Sequence, residues 1–305
     1  MGPRGLPDIH EALGRDLGRV VGERHLASSR AHHDEVRAMC GAALAEAGLD
    51  VHEQIVTGPF GPGANVIGRI RGSSASARTW VCGAHYDTVR GSPGADDNGV
   101  AVAAVLEIAR SLGRTRPRDA IELVLWDMEE LQTLRAGALL GSAAMARDMA
   151  GKRVDVAGVV DLEMIGCCRR EPGSQTFPAG FRLLFPDASR RVAAAGARGD
   201  FLALVHDRRA AVWAPVLEKS LQDNGIDAVL LEVHGARKLA HALYRSDHAP
   251  FWAHGFAAAM LTDTANFRNA HYHGPGDVAA TVDLDFAART TRAVVAALAE
   301  LADVR

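Results

Sequence analysis

The stretch WVCGAHYDTVRGSPGADDNGVAVAAVLEIARSL, residues 80–112, decides the fold. It opens with the short apolar run Trp80–Ala84, which predicts a buried strand. It closes with Asn98–Leu112, where apolar residues recur at helical spacing on one face. A buried strand followed by such a helix is the repeating unit of α/β proteins with parallel strands. The loop between them holds one histidine and three aspartates, so it is the first candidate for a functional site.

The same alternation continues on both sides of this stretch. Further strands are predicted at Ile121–Trp126, Val156–Val160, Phe201–Val205, Val229–Val233 and Ala258–Leu261, and further helices at Asp34–Ala47, Gly137–Met149 and Asp283–Ala302. This pattern predicts an α/β fold with a mainly parallel sheet. Because neither a linker nor a repeat divides the chain, we expect one domain over residues 1–305, with a helical segment of about residues 1–50 packed on it.

Composition excludes several classes of protein. The net charge is -3 and the chain holds no block of lysines and arginines, so neither a nucleic acid nor an anionic membrane is an expected partner. No apolar run is long enough to predict a transmembrane helix, and the N-terminus lacks the apolar stretch of a secretory signal. The four cysteines fit no metal-binding spacing, which favours free thiols and a cytoplasmic location.

The motif Gly83–Thr88 follows the strand at residues 80–84. His85 and Asp87 are two residues apart and therefore leave the strand on the same side. His85 could bind a metal through one ring nitrogen while Asp87 orients the ring. A His-x-Asp pair in an ordinary surface loop is the alternative reading of this motif.

Acids also lie before the next helix and after the next strand. Asp96 and Asp97 open a helix, where acids often act as caps, but a carboxylate there could also bridge two cations. Glu129 and Glu130 end the strand at residues 121–126, so one could bind metal while the other takes a proton from water. A pair of solvated glutamates is the alternative for that motif.

Two later segments add further ligand types. Glu163 shares a face with Asp161 at the end of an apolar strand, where an unpaired acid is costly to bury. His271 and His273 flank Tyr272 in the stretch NAHYHGPGD, residues 269–277, and only one of them need bind a metal. Zinc and similar cations take nitrogen and oxygen ligands of this kind.

Taken in this order, and with the stretch SDHAPF at residues 246–251, these motifs resemble the family of zinc aminopeptidases, glutamate carboxypeptidase II and glutaminyl cyclases. The resemblance extends from about Asn65 to Asp283, which is most of the chain. It implies a three-layer α/β/α sandwich around a mixed, mainly parallel sheet. It also implies zinc, with two ions in most peptidase members.

The resemblance assigns roles to particular positions. It implies that the metal ligands are His85, Asp96, Glu130, Glu163 and His273, with Asp96 bridging two ions. It also implies a catalytic group: Glu129 as the general base, Tyr272 as a donor to the oxyanion, Asp87 as the residue behind His85, and Asp247 as a member of a proton network, as in the cyclases.

This sequence departs from the family pattern at two places. Glu163 stands where the family usually has aspartate, so the number of zinc ions, one or two, is open. Two are favoured because His85 and Asp87 are both present. The segment Leu131–Gly137 looks longer than the equivalent loop of the peptidases and could reshape the pocket.

We therefore expect a zinc metallopeptidase, most simply an aminopeptidase that acts on a small peptide or an aminoacyl amide. A single-zinc acyltransferase or cyclase of the glutaminyl cyclase type and a non-catalytic binding protein on the same fold are the alternatives. Residues 267–269 and 169–180 are expected near the substrate, and Arg268 could bind a carboxylate or lie at the surface. The sequence leaves substrate identity and oligomeric state open.

Overall fold

The strands form one mixed sheet. The computed structural model describes residues 5–130, 138–235 and 240–304. The strands are β1 Asp50–Gly58, β2 Gly61–Ile70, β3 Thr79–His85, β4 Ala120–Trp126, β5 Val156–Glu163, β6 Phe201–His206, β7 Asp227–Glu232 and β8 Ala258–Thr262. They lie in the order β1-β2-β4-β3-β5-β8-β6-β7. The central strands β4, β3, β5 and β8 are parallel, and antiparallel pairs occur at β1–β2, β2–β4 and β6–β8.

Helices cover both faces of the sheet. They are α1 Leu6–Val20, α2 Arg30–Glu46, α3 Val100–Leu112, α4 Leu140–Gly151, α5 Phe181–Leu184, α6 Pro186–Ala194, α7 Ala214–Asp223, α8 His248–Ala253 and α9 Leu284–Leu301. Helices α1, α3, α7 and α9 pack together on one face, while α4 and α8 pack together on the other. The expected three-layer α/β/α sandwich is therefore confirmed.

Alternation along the strands divides the core into two halves. In β6, Leu202 and Leu204 point to the face covered by α7 and α9, whereas Phe201, Ala203 and Val205 point to the opposite face. Burying a large apolar side chain stabilises a fold by about 1.5–3 kcal/mol. Strands buried on both faces therefore read as unbroken apolar runs, and that is why the sequence revealed them.

The predicted elements are confirmed with small shifts in their bounds. Helix α3 begins at Val100 rather than Asn98, because Asp97 and Asn98 have non-helical dihedral angles within an irregular turn at Ala95–Gly99. The hairpin of β1 and β2 was not predicted. Polar and exposed residues interrupt the apolar pattern of β1, since this strand lies at the edge of the sheet. Residue 137, where a helix was predicted to start, lies outside the described residues.

The N-terminal helices pack on the rest of the structure. Helix α1 contacts α3 and α9, and α2 contacts β2 and α3. These contacts support our proposal that residues 1–305 form one domain. Among the described residues, every helix is too short or too polar to cross a bilayer. The four cysteines are all free thiols, as expected.

Candidate active site

The predicted site residues meet at the carboxyl ends of the central strands. His85 is the last residue of β3 and Glu163 is the last residue of β5, while Glu129 and Glu130 follow β4. His273 comes from the loop after β8. Because β3, β4, β5 and β8 run in the same direction, their following loops lie at one edge of the sheet.

Five side chains form two adjoining groups of possible metal ligands. One group is His85, Asp97 and Glu163, the other is Asp97, Glu130 and His273, and within each group the ligand atoms lie within 4.8 Å of one another. We call these five residues the histidine cluster. Asp97 belongs to both groups: its Oδ1 lies 3.4 Å from Nε2 of His85, and its Oδ2 lies 3.2 Å from Nε2 of His273.

The structure does not bring Asp96 to this point. Its Oδ1 accepts a hydrogen bond from the Gly166 amide at 2.9 Å, and its Oδ2 accepts one from the Asn269 side chain at 2.7 Å. Asp96 instead lies with Cys167 and Asp263, and we call these three residues the Asp96 cluster. The position between the two histidines, predicted for Asp96, is therefore occupied by Asp97. Consecutive side chains leave the backbone in different directions, and the sequence alone could not tell which aspartate faces the histidines.

Two buried residues hold the loop that carries Asp97. The carboxylate of Asp277 accepts the amide of Asp96 at 2.9 Å and that of Asp97 at 3.0 Å. Fully buried Arg24 donates to the backbone carbonyls of Val20, Gly22, Tyr86, Pro93 and Gly94. The loop is thus tied to the N-terminal segment and to the segment after His273. Sequence reasoning missed Arg24, because a single arginine near the N-terminus carries no signal of burial.

Asp87 supports the glutamate pair as well as His85. Its Oδ1 lies 3.6 Å from Nδ1 of His85, a contact longer than a hydrogen bond. The same carboxylate accepts the amide of Glu129 at 3.0 Å and the amide of Glu130 at 3.2 Å. Asp87 therefore fixes the backbone from which both glutamates project, a function that the sequence did not reveal.

The two neighbouring glutamates point to different partners. Oε1 of Glu130 lies 3.0 Å from Nε2 of His273, within the histidine cluster. Oε2 of Glu129 lies 4.0 Å from Nε2 of His85, outside both ligand groups. The pair is thus divided as predicted into one residue among the candidate ligands and one beside them.

Glu163 is one methylene longer than the aspartate usual in the family, and its carboxylate still lies beside His85. Its Oε2 lies 3.4 Å from Nε2 of His85 and accepts a hydrogen bond from the Ser246 hydroxyl at 2.9 Å. Ser246 therefore fixes the carboxylate that replaces the usual aspartate. The motif around Ser246 was noted in the sequence, but this contact was not predicted.

Tyr272 packs flat on His273, with ring centroids 3.7 Å apart. Its hydroxyl accepts a hydrogen bond from Nη2 of Arg245 at 2.8 Å, so the hydroxyl proton is available to another acceptor. His271, the other histidine of this segment, is exposed and belongs to neither ligand group. The structure therefore brings His273 to the cluster and leaves His271 outside.

Asp247 lies behind the cluster at the start of α8 and is fully buried. Burial raises the pKa of Asp247 well above its usual value, and the charge of Asp161 raises it further. Asp161 in turn accepts hydrogen bonds from the backbone amide and Nδ1 of His248. Asp247 is therefore adjacent to a buried acid–imidazole pair but belongs to neither ligand group.

The charges of the histidine cluster are strongly interdependent. Burial opposes charge on His273, but hydrogen bonds to Asp97 and Glu130 raise its pKa to about 10. Burial, followed by the charge of Asp97, raises the pKa of Glu130 to about 7. Burial also opposes charge on Asp97, yet His273 and His85 hold the pKa of Asp97 below its usual value. With Glu129 beside them, four carboxylates surround two imidazoles, an excess of negative charge that suits divalent cations.

Several residues around the cluster have left-handed backbone conformations. Met128 has φ of 56°, Met164 has φ of 52° and His273 has φ of 58°. This conformation costs roughly 1–3 kcal/mol for a residue with a β-carbon. Met128 precedes Glu129, Met164 follows Glu163 and His273 is itself a candidate ligand, so strained positions lie within and beside the cluster, as is common at functional sites.

An apolar pocket opens beside the cluster. Glu163, Arg245 and Tyr272 contribute to its lining, and so do the apolar side chains of Phe177, Phe181, Phe201, Val205 and Leu243. Phe267 also lines it, as expected for residues 267–269, and Gln175–Pro178 contribute from the loop at 169–180.

Arg268 is buried rather than open to substrate. It donates to Gln175 and to the carbonyl of Cys167, and its guanidinium lies over the ring of Phe201. A role in binding a substrate carboxylate therefore does not fit Arg268. The segment Leu131–Gly137, expected to reshape the pocket, lies outside the described residues.

Solved structures share the fold over nearly the whole chain. The Legionella pneumophila LapA aminopeptidase aligns at a TM-score of 0.71 and 18% identity, covering 97% of this chain and 73% of that one. A Porphyromonas gingivalis glutaminyl cyclase aligns at a TM-score of 0.67 and 19% identity, covering 98% of both chains.

Relatives in sequence place the chain in one family. Residues 65–200 match peptidase family M28. The uncharacterised protein YfbL of Escherichia coli K12 is 32% identical over 82% of this chain and 75% of its own length. A probable zinc metalloprotease of the fungus Leptosphaeria maculans is 26% identical over 79% of this chain, which spans only 57% of that protein. The chain therefore belongs to peptidase family M28.

Proposed function

We propose that this chain is a zinc-dependent aminopeptidase that acts on small peptides or aminoacyl amides. One observation carries the proposal: two groups of ligand-type side chains share Asp97, and Glu129 lies beside them without belonging to either. Family membership and the zinc metalloproteases among the relatives support the same conclusion.

The donor set fits zinc. Nε2 of His85 and Oδ1 of Asp97 are buried, face each other and have no hydrogen-bond partner among the described residues. Two buried polar atoms without partners are costly, and a cation that both could coordinate would remove that cost. His85 and Glu163 would hold one ion, Glu130 and His273 would hold another, and Asp97 would touch both. When bound, zinc would supply a Lewis acid that lowers the pKa of water and polarises the substrate carbonyl.

Glu129 is the proposed general base. Burial raises its pKa well above the usual value, although the charge of His85 acts in the opposite direction. A carboxylate with a raised pKa is suited to accept a proton from water and to pass it on to the leaving amine. Asp87 accepts a hydrogen bond from the Glu129 amide and therefore fixes the backbone from which the proposed base projects.

Tyr272 is the proposed oxyanion donor. Stacking on His273 fixes its ring, and the hydrogen bond from Arg245 uses an acceptor site of its hydroxyl. The remaining O–H can therefore donate to the oxygen that gains negative charge during attack on the carbonyl. Asp247 is proposed as a buried member of the proton network rather than as a group that touches substrate.

The apolar pocket supports a preference for apolar side chains. Four phenylalanines line it, Phe177, Phe181, Phe201 and Phe267, and Glu163 of the histidine cluster contributes to the same wall. A substrate whose scissile bond lies at the cluster can therefore place an adjacent side chain in the pocket. We also propose a cytoplasmic location, which the free thiols support.

A cyclase or acyltransferase is the second candidate. Asp97, Glu130 and His273 form a complete group by themselves, which would serve a single zinc ion, and the glutaminyl cyclase structure shares the fold. The second complete group, with His85, favours two ions and hydrolysis. A complete ligand set with a glutamate beside it also argues against a purely non-catalytic binding protein.

Zinc content and product analysis test the proposal together. The purified chain is loaded with zinc, its metal content is measured, and it is offered leucinamide, a leucyl dipeptide and a glutaminyl peptide. We expect hydrolysis of the leucyl substrates, and Glu129→Gln should retain zinc but lose about 10²–10⁴-fold in kcat. The exposed Glu171→Gln is the matched control and should behave as wild type.

Two results would contradict this proposal. Wild-type turnover by Glu129→Gln would remove Glu129 from the mechanism. Release of a cyclic product from the glutaminyl peptide, with one zinc ion per chain and no hydrolysis of leucyl substrates, would establish the cyclase instead.

A further inference from the structure

Arg245 carries a positive charge at the edge of the apolar pocket without an acidic partner. Its Nη2 donates to the Tyr272 hydroxyl at 2.8 Å and its Nη1 donates to Oδ1 of Asn266 at 3.2 Å, and both acceptors are neutral. Within residues 5–130, 138–235 and 240–304, no carboxylate forms an ion pair with it. Arg245 is exposed, so a ligand can reach its guanidinium.

The position of Arg245 ties it to the histidine cluster from two sides. The next residue, Ser246, donates to Glu163, and the Tyr272 ring that Arg245 contacts is stacked on His273. Arg245, Tyr272 and Glu163 line the same pocket. A molecule bound in this pocket therefore touches the cluster and the guanidinium together.

The other arginines near the site are not open to a ligand as Arg245 is. Arg24 is fully buried and its donors point to backbone carbonyls. Arg268 is 5% exposed and lies under the pocket wall, against Phe201. Of the arginines that touch the site in the described chain, Arg245 is the one open to solvent.

The remaining donors of Arg245 suit a carboxylate. A guanidinium has five N–H groups, and two of them are used by Tyr272 and Asn266, which leaves others for a planar, two-oxygen acceptor. The positive charge of Arg245 also attracts a carboxylate of the substrate, since no acid of the described chain is paired with it. The guanidinium therefore offers an anionic substrate both a charge and free N–H donors beside the cluster.

We propose that Arg245 binds the free carboxylate of a short peptide, one residue beyond the scissile bond, so that apolar dipeptides are the preferred substrates. This inference rests on the proposed peptidase function and narrows its substrate class. One residue of extended chain spans about 3.5 Å, so the carboxylate of a dipeptide stays close to its scissile carbonyl. In a longer peptide the same position holds a neutral peptide group, which gains much less from a guanidinium.

The experiment compares leucyl-leucine with leucyl-leucinamide, which differ only in that carboxylate. For the zinc-loaded chain we expect kcat/KM for the dipeptide to exceed that for the amide at least about tenfold, mainly through KM. In Arg245→Met this preference should disappear. Arg245→Lys keeps the charge but lacks the planar fork and should fall between the two. The exposed Arg208→Met, which does not line the pocket, is the control for loss of a surface charge and should keep the preference.

A binding measurement separates this inference from the proposed function. Calorimetric titration of the two peptides into Glu129→Gln should give the same preference for the free carboxylate, and the double variant with Arg245→Met should lose it. Equal affinity for both peptides in Glu129→Gln, or an equal preference with and without Arg245, would overturn the inference. If the wild-type chain hydrolyses neither peptide, the peptidase proposal fails, while the titration still decides whether Arg245 binds the carboxylate.

Discussion

Two clusters of acids lie next to each other at the carboxyl edge of this sheet, and their surroundings favour only the histidine cluster as the metal site proposed above. The histidine cluster and the Asp96 cluster contain consecutive residues, Asp97 and Asp96. The Asp96 cluster is buried, and so is the histidine cluster apart from its exposed member His273. In the groups of both, the ligand-type atoms lie within 4.8 Å of one another. Proximity of acids alone therefore does not identify the candidate metal site.

Hydrogen bonding distinguishes the two clusters. In the Asp96 cluster, Asp96 accepts the Gly166 amide and the Asn269 side chain, and Asp263 accepts the Cys167 and Ala265 amides. In the histidine cluster, Nε2 of His85 and Oδ1 of Asp97 have no such partners among the described residues. Every carboxylate oxygen of the Asp96 cluster thus has a hydrogen-bond donor in the protein, whereas the buried atoms without partners in the histidine cluster call for a ligand.

Electrostatics gives the same distinction. Burial and the nearby charge of Asp263 raise the pKa of Asp96 well above its usual value. For Asp97 burial acts in the same direction, but His273 and His85 outweigh it and lower the pKa. Two consecutive aspartates are thus driven in opposite directions by their neighbours, one toward the neutral form and the other toward the ionised form.

Exchange of each aspartate for asparagine is the strongest test of this comparison. Asp97→Asn removes a charged oxygen from both ligand groups, so we expect zinc content to fall and kcat/KM to drop by about a thousandfold or more, equivalent to several kcal/mol. Asp96→Asn keeps an acceptor and the shape of the side chain, and it should retain zinc. Metal analysis of the two purified variants, with circular dichroism as a check on folding, measures the difference.

The opposite result would reverse the assignment. If Asp96→Asn lost zinc while Asp97→Asn retained it, the bridging position would return to Asp96, as the sequence analysis predicted. Equal loss in both variants would mean that the loop, rather than one side chain, determines metal binding.

Asp277 links the two clusters, and its replacement should have the next largest effect. Each oxygen of its carboxylate accepts one backbone amide, that of Asp96 or that of Asp97. Asp277→Asn leaves only one of these oxygens and places an amide donor against a backbone donor. We expect zinc affinity to fall by about 10–100-fold, as is typical when a residue that orients a ligand is changed. Competition with a chelator of known affinity measures this change.

The exposed acid Asp285 provides a control for that measurement. Asp285→Asn lies at the start of α9 and should leave zinc affinity unchanged. Unchanged affinity in Asp277→Asn would show that the loop holds its conformation without the carboxylate, and the link between the clusters would be unnecessary.

Glu163→Asp should have a smaller effect and bears on the number of zinc ions. Aspartate is one methylene shorter, so the carboxylate would withdraw from His85 and from the Ser246 hydroxyl. We expect the ion at His85 to be held less tightly, with kcat/KM lower by about tenfold, while the group of Glu130 and His273 is undisturbed. Titration of bound zinc per chain should show one site weakened and the other retained.

Ser246→Ala is the companion variant, because it removes the hydroxyl but keeps the longer glutamate. It should weaken the same site to a lesser degree. If Glu163→Asp bound zinc as tightly as the wild type at both sites, the contact with Ser246 would have no part in metal binding.

The sequence predicted most of the fold and most of the candidate site, for a clear physical reason. Buried strands such as β3 and β4 are continuous apolar runs, and the residues that follow them are confined to one edge of the sheet. The positions of His85, Glu130 and His273 at one point are predictable on that basis. The edge strand β1 was missed, because half-exposed strands carry a weaker signal.

The features that the sequence could not predict depend on contacts between distant segments of the chain. The choice between Asp96 and Asp97 depends on the loop that Asp277 holds, and that residue is 180 positions from Asp97 in the chain. Arg24 and Arg245 are single arginines without a motif, and their burial or exposure follows only from the packing around them. The sequence offered Arg268 as a possible ligand for a carboxylate because it lies near the histidines. In the structure its guanidinium is enclosed by Gln175 and Phe201.

Replacement of Cys167 should have the smallest effect in this series. Cys167 is the one possible soft ligand in the Asp96 cluster. Burial raises the pKa of its thiol, and the charges of Asp263 and Asp96 raise it further, so the sulfur stays protonated and is a poor metal ligand. Cys167→Ser should therefore leave zinc content and kcat within about twofold of wild type and cost about 1 kcal/mol of unfolding free energy at most. Cys82→Ser, at a buried position in β3 and in neither cluster, controls for the loss of a buried thiol. A loss of zinc in Cys167→Ser alone would mean that the Asp96 cluster also holds a cation, and hydrogen bonding would then no longer separate the two clusters.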